Sequence, residues 1–477
     1  MSINRNKNTL FYIFAILFTN AFMGAFIVKY IGYDSKLVAS IGIGLITIFL
    51  IFLVKHPRRL FLILLLLSLP IVINKSFGSR VAYHSGGPSS LYFTFYDFTI
   101  FLLFLLWLAE APFSKIKSSL SRLDLCFFGL IIMAFLSMLN AKNVQLSFYM
   151  IFRFVIIYFI FYYLKNALDV KSDLKPIILS LLFGLTLESF IGVSQYFSGG
   201  LLGLNLLGES EKTVSFRSIL RIGGTLGHPN NLAKYLVLLI PLPVSLFLFV
   251  SLKKIYRILC FLIIFLSIFT LVLTLSRAAW IAFIFSMFVL ILLGVKARFF
   301  NLSKLLLIVL SSITLISAIA FGFHEMIEVR LFTGDYGSAR SRISQMKVAL
   351  NIIKHHPFIG VGINNYFEVM HLYDNTFEMI TLTLQHIVHN SYLLIASEMG
   401  LPALFFFFLF VIFLFKYVVD KDLNDQNKLS SAVKIGLFSG QCSFLLQTTV
   451  MPTDLVSTPF LIFWIFSGVI VALGKST

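Results

Sequence analysis

Four stretches of the sequence gather residue types able to do chemistry. The first is Arg221-Ile222-Gly223-Gly224-Thr225-Leu226-Gly227-His228-Pro229-Asn230-Asn231. Its glycines and proline allow tight turns and close backbone approach. Asn230 or Asn231 can cap a helix beginning near Leu232, and a capped helix start beside such backbone is a natural anion site. Arg221 adds a planar fork of donors suited to phosphate; the plainer alternative is a structured loop with a solvated arginine. The second stretch, Ser276-Arg277-Ala278-Ala279-Trp280, sets another guanidinium in a short turn between apolar runs. An arginine pointing into lipid costs about 2.5–3.5 kcal/mol at the bilayer centre and less near the interface. Arg277 therefore either snorkels to headgroups or faces the same cavity as Arg221.

The third stretch, Gln385-His386-Ile387-Val388-His389-Asn390-Ser391-Tyr392, leads into a short apolar helix that Gly400 and Pro402 should end. Asn390 or Ser391 is the candidate cap. His389 would stand at the positive end of the helix dipole, which disfavours imidazolium. It is then a neutral general base, or simply a capping or headgroup-contacting histidine. A metal pair of His386 and His389 lacks both a neighbouring carboxylate and the HExxH context. The fourth stretch opens with Arg340-Ser341-Arg342 and continues as a helix over 342–354, with Ile343, Met346, Ala349, Leu350 and Ile353 at helical spacing. It closes with His355-His356-Pro357-Phe358-Ile359-Gly360-Val361-Gly362-Ile363-Asn364-Asn365-Tyr366-Phe367, a Gly/Asn turn that either holds sugar hydroxyls or is a turn and nothing more.

These stretches must be positioned by apolar elements. Of 477 residues, 59% are hydrophobic and only 12% charged, and 55 are Phe. A soluble domain is typically about half apolar and roughly a quarter charged, so a soluble enzyme, a disordered chain and a secreted disulfide scaffold are excluded. Cys126, Cys260 and Cys442 lie in separate apolar runs, which supports neither a disulfide framework nor a CxxC metal site. A span takes about 20 apolar residues. Candidate spans fall at 10–28, 37–54, 60–73, 91–109, 125–140, 147–164, 176–196, 231–250, 257–274, 278–294, 304–322, 400–416, 432–450 and 457–473. The third is short enough to be partial, and no small-residue cleavage site follows the first, which reads as an uncleaved anchor. The fold class is an all-α polytopic membrane protein of about 12–14 transmembrane helices with a long helical outer loop. Four regions divide it: 1–196, N-terminal spans; 197–322, spans with the Arg/Gly-rich loop; 323–399, the large outer loop; 400–477, C-terminal spans.

The net charge of +18 is mostly a topology signal. With the amino terminus cytoplasmic, inner loops carry 22 of the 38 Lys and Arg, at least three in every inner loop between spans. Lys165 and Lys434 are among them. This excess faces anionic lipid and gives no support to nucleic-acid binding. Both termini are then cytoplasmic. Eight of nine histidines (His84, His228, His324, His355, His356, His371, His386 and His389) fall outside, with His56 inside. Chemistry is therefore expected on the outer face. Asp97, Arg153 and Glu188 are charges within spans; they either pair as structural ties or form a proton relay. A transporter or flippase would concentrate its functional charges there, near the midplane, whereas an enzyme would carry them in the outer loops. No internal repeat is visible.

The order RxGGTLGHPNN at 221–231, SRAAW at 276–280, an Arg-led helix with HPFIGVGINNYF over 342–367, and HNSYLLIASEMGLPAL at 389–404 resembles the O-antigen ligase and polymerase superfamily. The likeness covers about 190 residues from Arg221 past Gly400, and the amino-terminal half matches only as a set of spans. The resemblance implies a GT-C type glycosyltransferase of the bacterial inner membrane, active on its outer face, inverting and without metal or other cofactor. Its implied partners are a glycan on undecaprenyl pyrophosphate, an acceptor glycan or lipid A-core, and membrane lipid. By motif position it implies pyrophosphate binding by Arg221 and Arg277 and acceptor activation by His389. Further candidates for substrate contact are Arg217, His228, Asn230, Arg342, Asn364, Asn365 and Asn390. Gly400-Leu401-Pro402-Ala403 departs from the second glycine common in ligases, so ligase and polymerase both remain open.

Overall fold

The computed structural model describes residues 54–475, apart from 55, 72–73, 78–80, 82–83, 85, 111–119, 211, 217–218, 300–327, 329–337 and 420–426. The expected spans at 10–28 and 304–322, all of 37–54 except Val54, and the residues Arg217 and His324 lie outside the described residues.

Helices dominate, because in lipid a helix satisfies its own backbone groups. Those of nine residues or more are, in chain order, α1 (Pro57–Leu67), α2 (Phe95–Glu110), α3 (Arg122–Ser137), α4 (Val144–Ala167), α5 (Val170–Phe197), α6 (Pro229–Leu239), α7 (Pro241–Phe249), α8 (Lys254–Leu273), α9 (Arg277–Lys296), α10 (Ser338–His355), α11 (Ser391–Val419), α12 (Lys428–Gln447) and α13 (Thr458–Lys475). Among the described residues nine stretches are long and apolar enough to cross a membrane, α6 and α7 forming one of them. Each coincides with an expected span. The 91–109 run is a shorter apolar helix within α2, and the 60–73 run shrinks to the 11 residues of α1. Two hairpins were not anticipated, their strands being too short for a period-2 signal. β1 (Asn74–Phe77) pairs antiparallel with β2 (Leu91–Thr94), Asn74 opposite Thr94. β3 (Val214–Phe216) pairs with β4 (Ile219–Arg221), Val214 opposite Arg221.

Hydrogen bonds sort the connections to two ends of the bundle. At one end Thr225 Oγ1 donates to Pro70 O (2.9 Å), Asn140 Nδ2 to Gly360 O (2.8 Å) and Ser391 Oγ to Thr453 O (2.9 Å). At the other, Arg59 Nε reaches Asp173 (3.5 Å), Lys296 Nζ donates to Val419 O (2.8 Å) and Lys475 Nζ to Asn166 Oδ1 (2.9 Å). The long connections around 197–230 and 338–390 therefore share one end, as the charge alternation requires. Two inner-loop lysines correct the lipid-facing expectation. Lys165 is buried against Asp124 in the first turn of α3, and Lys434 is buried within α12.

Inside the bundle the phenylalanines pack around Trp464, whose ring lies 4.7 Å from Phe127 and 4.9 Å from Phe410. Arg153 is buried there too. It pairs with Asp97, donates to Tyr96 Oη (2.6 Å) and lies 4.5 Å from the Tyr92 ring. Glu188 does not join them, which corrects the idea of a three-charge tie; it accepts from Thr225.

Helix α11 is broken internally, as its sequence foretells. Pro402 lacks the N–H that Glu398 O would otherwise take. Gly400 sits at φ 84, ψ 169, a region essentially reserved for glycine. The carbonyls freed by the break are claimed by the 357–362 turn. Val361 N donates to Ser397 O (3.0 Å) and Gly362 N to Glu398 O (3.0 Å), while Leu401 N donates to Pro357 O (2.8 Å). The HPFIGVG and ASEMGLP motifs are thus two halves of one joint, which fixes the helix start carrying His389.

Candidate functional site

The Gly-rich loop is clamped from below by α5. Glu188 and Gln195 stand two turns apart on one helix face. Gln195 Oε1 accepts from Gly223 N (3.2 Å) and Gly224 N (2.9 Å); Glu188 Oε2 accepts from Thr225 N (3.1 Å). These amides are therefore committed to protein, which corrects the expectation of an anion site built from free N–H groups. The cap differs as well. Helix α6 begins at Pro229, whose fixed φ suits a first turn, and its cap is His228, whose Nδ1 accepts from Asn230 N (3.1 Å).

That leaves the Asn230 side chain to orient Arg221. Arg221 NH2 donates to Asn230 Oδ1 (3.0 Å), and Arg221 Nε donates to Thr274 O (2.9 Å). Thr274 belongs to the turn that opens α9, whose first residue is the half-buried Arg277. The two guanidinium-bearing motifs, 56 positions apart in sequence, are stitched together by this bond.

His389 belongs to a second group. Asn390 caps the following helix through Leu393 N (2.9 Å) and ties it to the 448–454 turn by donating to Thr449 O (3.0 Å). His389 Nδ1 lies 2.6 Å from Gln345 Oε1 on α10. Burial pushes its imidazolium down to about 4, helped by the charges of Arg342, His386 and Lys234. A neutral His389 was anticipated, with burial rather than the helix dipole as the chief cause. His228 is exposed, yet the protein around it, then Arg221 and Lys234, also push it down to about 4.

Lys234 links the two groups. It is 3% exposed and donates to Pro452 O (2.7 Å) in the turn that holds Asn390 and Ser391. Its charge is felt at both His228 and His389. Across the same turn Asp454 faces it, an acid raised above its ordinary range by burial despite the Lys234 charge. Lys234 was missed in the sequence, although a lysine just inside an apolar run is itself a signal of function. Gln345 left no such signal.

Two outlying candidates, Asn364 and Asn365, spend their amides on protein groups. Asn364 Nδ2 donates to Pro88 O (2.8 Å) and Leu146 O (3.2 Å), and its Oδ1 accepts from Gly87 N (3.0 Å) and meets His84 Nε2 (2.9 Å). Asn365 Oδ1 accepts from Asn143 N (2.7 Å), and its Nδ2 donates to Ser147 Oγ (2.9 Å). Arg342 keeps a buried Nε with no hydrogen-bond partner among the described residues. The buried face of α10 is Ser344, Gln345, Val348, Ala349 and Ile352, while Ile343 and Leu350 are exposed, so the apolar stripe read from the sequence is rotated.

Residues 262–408 match the family model described as O-antigen ligase. The match takes in Arg277, Arg342 and His389 and leaves out Arg221, His228 and Lys234. Comparison with curated proteins gives no match.

Proposed function

We propose that this multi-pass membrane protein, which carries the O-antigen ligase domain over residues 262–408, transfers a glycan from undecaprenyl pyrophosphate to a sugar hydroxyl. The reading that fits best is ligase-like transfer, with polymerisation of lipid-linked repeats as the alternative within the same chemistry. The observation that carries it is the set of groups at one end of the bundle: two imidazoles held neutral, with the buried Lys234 beside both and arginines around them.

In this reading the end carrying the long loops faces the periplasm and both termini face the cytoplasm. Arg221 and Arg277 hold the diphosphate, and Lys234 adds a third positive charge. Negative charge grows on the leaving diphosphate as the anomeric C–O bond breaks, and preorganised donors in a partly dry site stabilise it without a metal ion. His389 takes the acceptor hydroxyl's proton. A single displacement from the opposite face inverts the anomeric centre. Asn230 orients Arg221, and His228 and Arg342 border the cationic patch. Asn364, Asn365 and Asn390 hold the frame, and Arg217 is a further candidate contact. A transporter is less well supported, because Asp97 and Arg153 neutralise one another and Glu188 is spent on the Gly-rich loop.

The test is deletion of the gene and complementation with His389→Ala, Arg221→Ala and Arg277→Ala, followed by gels of surface polysaccharide and of lipid-linked glycan. Loss of polymer on lipid A-core with lipid-linked polymer retained identifies a ligase. Survival of a single capped repeat identifies a polymerase. Full complementation by His389→Ala refutes the mechanism.

A further inference from the structure

We infer that Gln345 is the positioning residue that selects the reactive nitrogen of His389: it holds Nδ1 as the protonated nitrogen and leaves the Nε2 lone pair for the acceptor hydroxyl. The inference rests on the base role proposed for His389 and extends it to a residue on another helix, with no motif of its own.

The geometry is specific. Gln345 is 4% exposed on the inward face of α10, and its Oε1 lies 2.6 Å from His389 Nδ1. An amide oxygen only accepts, so in this assigned orientation Nδ1 must carry the hydrogen. A neutral imidazole has one N–H, so Nε2 is then the acceptor. Gln345 Nε2 is buried without a hydrogen-bond partner among the described residues, so the side-chain hydrogen bond that the amide makes there is the one to His389. The packing around it is firm. Neighbouring Val348, Ala349 and Ile352 on the same face are fully buried and share a small core with Val388, which precedes His389 by one residue. The helix that carries the glutamine and the segment that carries the histidine are thereby packed into one core.

The reaction step balances without any further reactant. The acceptor O–H proton moves to His389 Nε2 as the acceptor oxygen bonds to the anomeric carbon, and the anomeric C–O bond to phosphate breaks with its electron pair leaving on the diphosphate. The imidazolium so formed keeps its Nδ1–H on Gln345, now as a charge-assisted bond. A glutamine suits this better than a hydrophobic residue of equal size, which would let both tautomers and both ring flips coexist.

The experiment uses the full-length protein in detergent or nanodiscs, with a lipid-linked glycan donor and a sugar acceptor, and compares Gln345→Leu, Gln345→Glu and His389→Ala. Gln345→Leu is expected to lower kcat roughly 10–100-fold with acceptor KM little changed. Gln345→Glu offers an oxygen to the same Nδ1–H, and is expected to retain most of kcat while moving the acid limb of the rate profile upward by one pH unit or more. Nitrogen-15 spectra of labelled histidine, assigned by difference against His389→Ala, should show His389 protonated on Nδ1 in the native protein. A wild-type rate and pH profile in Gln345→Leu, or Nε2 as the protonated nitrogen, overturns the inference while leaving the base role intact. An active His389→Ala overturns the base role and with it this inference.

Discussion

Replacing Gly400 by alanine should unlatch the helix start that carries His389, and its cost can be worked from the joint itself. Gly400 holds φ 84, ψ 169; a residue with a side chain pays about 1–3 kcal/mol to remain there. The new Cβ would lie 2.1 Å from Phe358 O and 2.4 Å from Phe358 C. Both are backbone atoms, so no side chain can swing aside. Relief requires the 357–362 turn to give up at least one of its bonds to Ser397 O, Glu398 O and Leu401 N, and each buried group left unpaired costs about 1–3 kcal/mol. Strain and one lost bond together come to about 2–6 kcal/mol. Gly199→Ala is the control: it also has positive φ (70) but nothing within 4 Å of its Cβ position, so only the left-handed penalty of about 1–2 kcal/mol applies. Thermal melting of detergent-solubilised protein, followed by size-exclusion fluorescence, should show a much larger fall for Gly400→Ala. Equal melting temperatures for the two variants would refute the interlocked joint.

Three further outcomes follow from the contacts. Arg221→Lys keeps the charge but offers a point donor where a fork spans Thr274 O and Asn230 Oδ1; transfer should slow roughly 10²–10³-fold, as for loss of one charge-stabilising donor, and a near-native rate of purified enzyme would count against the role. Asp97→Asn strips Arg153 of its carboxylate in a nearly dry setting and should cost about 3–5 kcal/mol, with Arg153→Met added to it restoring part of the loss; unchanged melting with abolished polysaccharide would favour a transport role for the pair. His84 meets Glu368 Oε1 (3.1 Å) and Asn364 Oδ1 (2.9 Å), so His84→Ala should loosen the 356–390 connection and raise its protease sensitivity, whereas an unchanged digestion pattern would mean the contact holds nothing.

The parts of this molecule legible in its sequence are those governed by run length and by single strong breakers. The spans follow from uninterrupted apolar stretches, and the break in α11 follows from Gly400 and Pro402. The joint between Gly400 and the 357–362 turn was not legible, because it depends on which freed carbonyl meets which amide across 40 residues. The Gly-rich loop misled for a related reason. Glycines advertise free N–H groups, but Gln195 and Glu188 on a distant helix consume them. Lys165 and Lys434 misled because a charge near a span end reads as lipid-facing until a buried partner or a packed neighbour is placed. Gln345 was invisible because the exposed apolar residues Ile343 and Leu350 drew the helical stripe onto the wrong face of α10.

The imidazole proposed as the base, His389, is held down to about 4; it is neutral at pH 7 but a poor proton acceptor, since general-base catalysis is most effective when the group titrates near the working pH. The causes of the depression resolve this. After burial, they are Arg342, His386 and Lys234, each of which opposes a proton on the ring. A diphosphate brought among those cations places negative charge near the ring, and an opposite charge at about 4–6 Å shifts a titration by roughly 1–3 pH units, upward for imidazole. Activity requires the neutral base, so it falls as pH drops through the imidazole's value. The acid limb of kcat/KM for donor, which reports the free enzyme, should lie near 4. That of kcat, which reports the loaded complex, should lie roughly 1–3 pH units higher. Lys234→Met removes one of the depressing charges, so its free-enzyme limb should rise and the gap between the two profiles should narrow. Coincident limbs in the native enzyme, with the same limb persisting in Lys234→Met, would show that the cations do not govern His389 and that donor binding does not prepare the base.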